Sequence, residues 1–303
     1  MKVIDVKSLK KSFAGKKVLE DTSMAVSQGD IYGFLGPNGS GKTTTLRILL
    51  GILFPDGGKV TVLKMDPSVD GELLRQRINV LPESHGFYGW MRAEEYLRFF
   101  GQLYGLQLTA ADCHKHLEQV GLDPADLRQI GTFSRGMKQR LGIARSLLND
   151  PEILFLDEPT NGLDPKGRRE IHDLLLKFNR EKEMTVVIST HILDDVERLC
   201  NRIAILHNSK IQYEGPLFTP QIEKSIRYQF HLADDKNNSY TWNFPGFSCQ
   251  EKKGQWVTCE IKDIHPDKAL SLLVQKGIPI TEAIQVNSGL ESMYLKLTAQ
   301  GKE

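Results

Sequence analysis

Three short, almost unbroken apolar runs, Ile31 to Leu35, Ile153 to Leu156 and Val186 to Ile188, punctuate stretches of helical periodicity. A strand buried on both faces reads as a continuous apolar run, and helices between such strands are the crossovers a parallel sheet requires. Residues 1 to about 215 are therefore expected to form an α/β domain. Between about Pro82 and Gly131 the pattern becomes helical only. There Tyr96, Phe99, Phe100, Leu103 and Tyr104 recur at helical spacing, which predicts one apolar face and an all-helical insertion at about 83–131.

Gly215-Pro216-Leu217-Phe218-Thr219-Pro220 breaks the pattern, after which Ile226, Tyr228, Phe230 and Leu232 alternate with Arg227, Gln229 and His231. Strict alternation is the mark of a half-buried strand. Turn signals at Asp234 to Ser239, Pro245-Gly246 and Lys252 to Gly254 precede a helix expected from Pro266 to Gln275 and stopped by Gly277. The expected division is a main domain over 1–218 and a small α+β domain over 221–303.

Lys and Arg total 39 against 38 Asp and Glu, a net charge of +1, which leaves no electrostatic footprint for nucleic acid or a polybasic membrane anchor. No apolar run approaches the roughly 20 residues of a spanning helix, and the first 13 residues read as a lysine-bearing strand instead of a secretory signal. The expected place is the cytoplasmic side. Cys113, Cys200, Cys249 and Cys259 show no metal or redox spacing and read as reduced thiols, with Cys249 and Cys259 the pair to test. Cys113-His114-Lys115-His116 reads as surface helix, since those positions converge poorly on one ion.

The chemistry lies at the ends of the apolar runs. Gly36-Pro37-Asn38-Gly39-Ser40-Gly41-Lys42-Thr43 matches the phosphate-binding loop GxxxxGK[ST], between a strand and a helical stretch that opens with Thr44. Glycines let backbone N–H groups turn inward as a cradle, the helix N-terminus adds positive potential, and Lys42 supplies a charge for the β- and γ-phosphates. Thr43 is left to ligate magnesium. The run Ile153 to Leu156 ends in Asp157-Glu158, two carboxylates at the edge where open α/β sheets bind ligands. Asp157 suits a hard cation and Glu158 suits a base for the attacking water. His191, just past the third run, belongs on the same edge, near a γ-phosphate.

Phe133-Ser134-Arg135-Gly136-Met137, whose Ser134 lies 23 residues before Asp157, resembles the signature motif of ABC ATPases. The order of phosphate loop, signature, Asp157-Glu158, a D-loop-like Gly162-Leu163-Asp164 and His191 is similar to that family over nearly all of 1–215. The resemblance implies a P-loop NTPase cassette, a RecA-like sheet core with an inserted helical subdomain. It also implies a head-to-tail dimer holding two Mg-ATP, each between the phosphate loop of one chain and Ser134 and Gly136 of the other, with Asp164 nearby. The usual signature is Leu-Ser-Gly-Gly-Gln, so Phe133, Arg135 and Met137 depart from it. Phe13 matches the family's adenine-stacking aromatic, and Glu83 stands where the family usually has a magnesium-approaching Gln.

Leu81-Pro82-Glu83, the Arg-Gly-Met signature and the ending Leu290 to Thr298 resemble bacterial exporters of antibiotics, peptides, lipids or polymers whose permease is a separate chain. That implies a homodimer, or a dimer with a related cassette, peripheral on the cytoplasmic face of the inner membrane through a transmembrane permease. Phe87, Tyr88 and Trp90, in a Gly-punctuated loop, are the expected permease contact. An importer subunit, or a soluble ABC ATPase acting on ribosomes or nucleic acid, is the alternative. The single cassette, the 92 residues from Lys42 to Ser134 and the lack of a basic tract disfavour the soluble reading.

Overall fold

The computed structural model describes residues 1–84, 86–217, 226–233, 242, 246–261, 266–287 and 289–299. The chain forms two compact units, Met1–Gly215 and Pro216–Glu303. The first runs β1 (Lys2–Phe13), β2 (Lys16–Ser27), β3 (Ile31–Leu35), α1 (Lys42–Leu49), β4 (Gly57–Val62), α2 (Gly71–Arg77) and β5 (Ile78–Leu81). It continues through α3 (Ala93–Leu103), α4 (Ala110–Gln119), α5 (Arg135–Ser146), β6 (Ile153–Asp157), α6 (Pro165–Lys182), β7 (Thr185–Thr190), α7 (Leu193–Leu199), β8 (Arg202–His207) and β9 (Lys210–Pro216).

The apolar runs become β3, β6 and β7, whose residues are all buried. They lie inside a six-stranded sheet of order β5-β6-β7-β3-β8-β9, in which the β5, β6, β7, β3 and β8 pairings are parallel. Register decides where the chemistry goes: Leu81 is level with Leu156, Asp157 with Ser189, and Leu35 with Thr190. The residues that follow these strand ends therefore emerge from one edge of the sheet.

The long strands β1 and β2 make a separate antiparallel sheet of order β2-β1-β4. Its inward residues Ile4, Val6, Leu9, Leu19 and Val26 join Tyr32, Phe34 and Phe155 in one core.

The helical segment contains α3 and α4. Tyr96 and Leu97 are fully buried, whereas Leu103, expected on the apolar face, is exposed because α3 ends there and Tyr104 caps it. Tyr96 hydroxyl accepts from the buried Arg145 of α5 at 3.1 Å, and that guanidinium also lies 5.0 Å from the Phe100 ring centre. A guanidinium held this way is satisfied at its polar edge and stacked on its face. Cys113 is buried in α4, not on its surface, while His114 pairs with Glu94 at 3.3 Å.

The second unit is an antiparallel sheet of order β11-β12-β10-β13, with β10 (Ile226–Leu232), β11 (Phe247–Lys253), β12 (Trp256–Ile261) and β13 (Ile280–Asn287). Two helices, α8 (Pro266–Gln275) and α9 (Gly289–Ala299), accompany it. The alternation in β10 sends Phe230 and Leu232 into a core with Trp242, Val257, Cys259 and Leu273. The turn expected at Asp234 to Ser239 lies outside the described residues. Cys249 and Cys259 are free and face each other across β11 and β12, and burial pushes the Cys259 thiol up to about 12. No helix among the described residues is long and apolar enough to cross a membrane.

Candidate functional site

The loop from Gly36 to Gly41 links β3 to α1 and needs glycine for two different reasons. Gly41 caps α1 with φ 111, a conformation closed to most side chains, and a Cβ on Gly36 would come within 2.5 Å of the Leu206 carbonyl oxygen. The loop curls around Lys42, which is buried and whose Nζ donates to the carbonyls of Gly36 at 2.8 Å and Pro37 at 3.3 Å. Gly36 and Ser40 are buried beneath the loop; Asn38 and Gly39 are exposed on it.

Parallel register brings Asp157, Glu158 and His191 to this loop. Thr43 Oγ1 donates to Asp157 Oδ2 at 2.9 Å, and Ser189 Oγ donates to Asp157 Oδ1 at 2.5 Å. Glu158 is buried; its Oε1 lies 3.4 Å from Lys42 Nζ and its Oε2 is 2.9 Å from His191 Nδ1. Its backbone is left-handed, φ 50, and its N–H donates to the Ser189 carbonyl at 2.8 Å. A non-glycine residue held there costs about 1–3 kcal/mol and persists only where the surroundings fix it. Glu83 follows β5 and accepts from Asn161 Nδ2 at 3.3 Å.

Phe13, Thr44, Lys42, Glu83, Glu158 and His191 line one concavity of about 410 Å³, within the usual range for a small-molecule site. Phe13 stands at its rim, 45% exposed. Two buried atoms at the loop, Ser40 Oγ and Glu158 Oε1, have no hydrogen-bond partner among the described residues. A buried Ser40 hydroxyl with no hydrogen bond and a Glu158 oxygen held only by its ion pair with Lys42, beside Thr43 and Asp157, fit a phosphate with a hard divalent cation, because such cations take oxygen ligands.

Ser134, Gly136 and Asp164 are not in that concavity. They line a second one, where Ser134 Oγ caps α5 by accepting from Met137 N–H at 3.2 Å and Asp164 caps α6 by accepting from Gly167 N–H at 2.9 Å. Phe133 is buried with Arg128 5.8 Å from its ring centre, so an apolar side chain at that signature position serves packing. Phe87 is half-buried, 5.4 Å from Tyr96 between ring centres, whereas Tyr88 and Trp90 are exposed. Sequence reasoning missed Ser189 and Asn161, which hold Asp157 and Glu83. Their signal was positional only, one on the strand that precedes His191 and one three residues past Glu158.

A parallel sheet bearing a phosphate loop on one strand and an acidic pair on the next but one defines the P-loop NTPases, with the mixed α/β architecture of a cassette ATPase. A family model described as ABC transporter matches residues 19–161. The chain belongs to the ABC transporter family as an ATP-binding subunit, an ATPase of the kind that drives transport.

It is 36% identical over 301 residues to the uncharacterized ABC transporter ATP-binding protein YxlF of Bacillus subtilis (strain 168), covering 97% of this chain and 99% of that one. Identity to the bacitracin transport ATP-binding protein BcrA of Bacillus licheniformis is 34% over 312 residues, covering 99% and 98%. With Nod factor export ATP-binding protein I of Rhizobium sp. (strain N33) it is 38% over 214 residues, covering 70% of each. Among solved structures, the dimeric structure of MJ0796, a bacterial ABC transporter cassette, has a TM-score of 0.62 at 26% identity, covering 71% of this chain and 99% of that one.

Proposed function

We propose that the chain binds Mg-ATP at the Phe13-rimmed concavity, hydrolyses it as a dimer, and drives export through a separate transmembrane permease on the cytoplasmic face of the membrane. The observation that carries this is the convergence at one sheet edge of two bonded sets, Lys42 with Glu158 and His191, and Thr43 with Asp157. Lys42 and the backbone of Gly36 to Thr44 hold the phosphates. Glu158 accepts a proton from the attacking water, and His191, bonded to Glu158, faces the γ-phosphate. Thr43 and Asp157, with Glu83, would hold magnesium, which supplies charge neutralisation at the phosphates when bound.

Dimerisation is supported by the separation of Ser134, Gly136 and Asp164 from the Lys42 concavity in one chain, since a partner's α5 N-terminus then meets a γ-phosphate across the interface. The dimeric cassette MJ0796 supports the same reading. Export is supported by the names of the bacitracin and Nod factor relatives. The second unit, Pro216–Glu303, is read as an accessory or regulatory domain.

Adenine is assigned to the exposed Phe13 ring. Stacking on an aromatic contributes about 1–3 kcal/mol per base, so Phe13→Ala is expected to weaken ATP binding about tenfold by titration calorimetry. Phe13→Trp is expected to retain it. Equal affinity of the alanine variant would remove the stacking role.

The permease reading is tested by purifying the tagged chain from its native cells in mild detergent with ATP. A stoichiometric polytopic membrane protein is expected, and it is expected to be lost when Tyr88 and Trp90 are both replaced by Glu, with basal ATP hydrolysis retained. Trp90 is 67% and Tyr88 42% exposed, and neither belongs to the buried core, although Tyr88 gives up an edge contact with Phe99 at 5.7 Å between ring centres. Recovery of ribosomal or DNA-bound partners alone would favour the soluble alternative.

A further inference from the structure

Asp195 of α7 has no exposed surface, and nothing in the nucleotide chemistry above uses it. Its carboxylate nevertheless gathers groups from three other elements. Thr160, two residues past Glu158, donates its hydroxyl to Oδ2 in a short hydrogen bond, and Thr190 hydroxyl lies 3.5 Å from the same oxygen. The other oxygen, Oδ1, receives His172 Nε2 of α6 at 2.8 Å and has Arg168 Nε at 3.8 Å. Thr190 precedes His191 directly, and its hydroxyl also accepts from the Ile192 N–H at 3.0 Å, pinning the turn that carries His191.

We infer that Asp195 is a positioning residue: one buried carboxylate fastens both the segment leaving Glu158 and the segment carrying His191, and so holds base and histidine in register. The inference rests on the roles proposed above for those two residues. The left-handed backbone of Glu158 supplies the need for such an anchor. Its N–H is fixed by Ser189 and its carbonyl by Asn161, but the chain beyond it is held by Thr160, whose hydroxyl partner is Asp195. A metal role for the neighbouring His172, Asp194 and Asp195 is disfavoured, because both Asp195 oxygens are engaged and Asp194 bonds Arg198 at 3.1 Å.

Of the groups that Asp195 touches, only Thr190 meets the phosphate loop, through its backbone carbonyl, which accepts from Gly36 N–H at 3.3 Å and stays paired in the sheet whatever its side chain does, so the expected effect falls on kcat and spares KM. Asp195→Asn keeps the shape and removes one acceptor and the charge. It is expected to lower kcat per ATP-binding site about tenfold with KM for ATP within twofold, sites being counted by equilibrium binding so that misfolded protein is left out of the rate. Thr160→Val, a milder change made from the other side of the same hydrogen bond, is expected to give a similar loss, and Thr160→Ser to restore most of it. The double variant Asp195→Asn, Thr160→Val is expected to be no slower than the slower single variant, as for two groups acting through one contact. Wild-type kcat in Asp195→Asn, or losses that multiply in the double variant, would overturn the inference. Glu158→Gln run alongside separates the two levels: full turnover there removes the proposed base, whereas its collapse beside a normal Asp195→Asn removes only the anchor.

Discussion

Glu158→Gln is expected to bind Mg-ATP with near-normal affinity and to hydrolyse it about 10²–10⁴-fold more slowly, the range set by losing a positioned general base. The amide keeps the volume of a side chain that is buried and held between Lys42 and His191, so the cavity is preserved. What is lost is the oxygen that accepts the proton. A chain that binds but does not cleave is expected to remain paired on its partner, and size-exclusion chromatography with ATP is expected to show twice the monomer mass. Residual turnover near the wild-type rate would assign the base elsewhere.

Lys42→Met is expected to act on the other term, affinity. Lys42 is almost fully buried, its ammonium held by two loop carbonyls and Glu158, so solvent screens it little. Truncating one member of a buried charge pair costs about 2–5 kcal/mol, and the lower end alone predicts at least about thirtyfold weaker ATP binding. The same ion pair has a second effect. Glu158 Oε1 lies 3.4 Å from the lysine proposed to hold the phosphates, so a bound triphosphate is expected to compete with this carboxylate for Lys42. Calorimetric titration of the Met variant checks the first statement; unchanged affinity would refute the phosphate role of Lys42.

Much of the sheet was legible because burial on both faces leaves strands no polar positions, and β3, β6 and β7 stand where the apolar runs are. The phosphate loop was legible because its glycines answer backbone constraints that no other residue meets. The failures have local causes. Periodicity places Leu103 on an apolar face but does not say where α3 stops, and a helix end has no neighbour to cover it. Cys113 was masked by the charged residues around it on α4, although it points to the core. Asp195, Ser189 and Asn161 act through partners 35, 32 and 78 residues away in the chain, and no spacing within one segment records such contacts.

Ser189, Thr190 and His191 are consecutive, yet each ends on a different acid: Asp157, Asp195 and Glu158. A strand turns successive side chains to opposite faces, so no one of the three partners is reachable from a neighbouring position. Deleting or inserting one residue in β7 would therefore break all three bonds at once, while exchanging one apolar residue for another further back in the strand would disturb only packing. The length of this six-residue strand, more than its composition, is the quantity this fold has least freedom to vary.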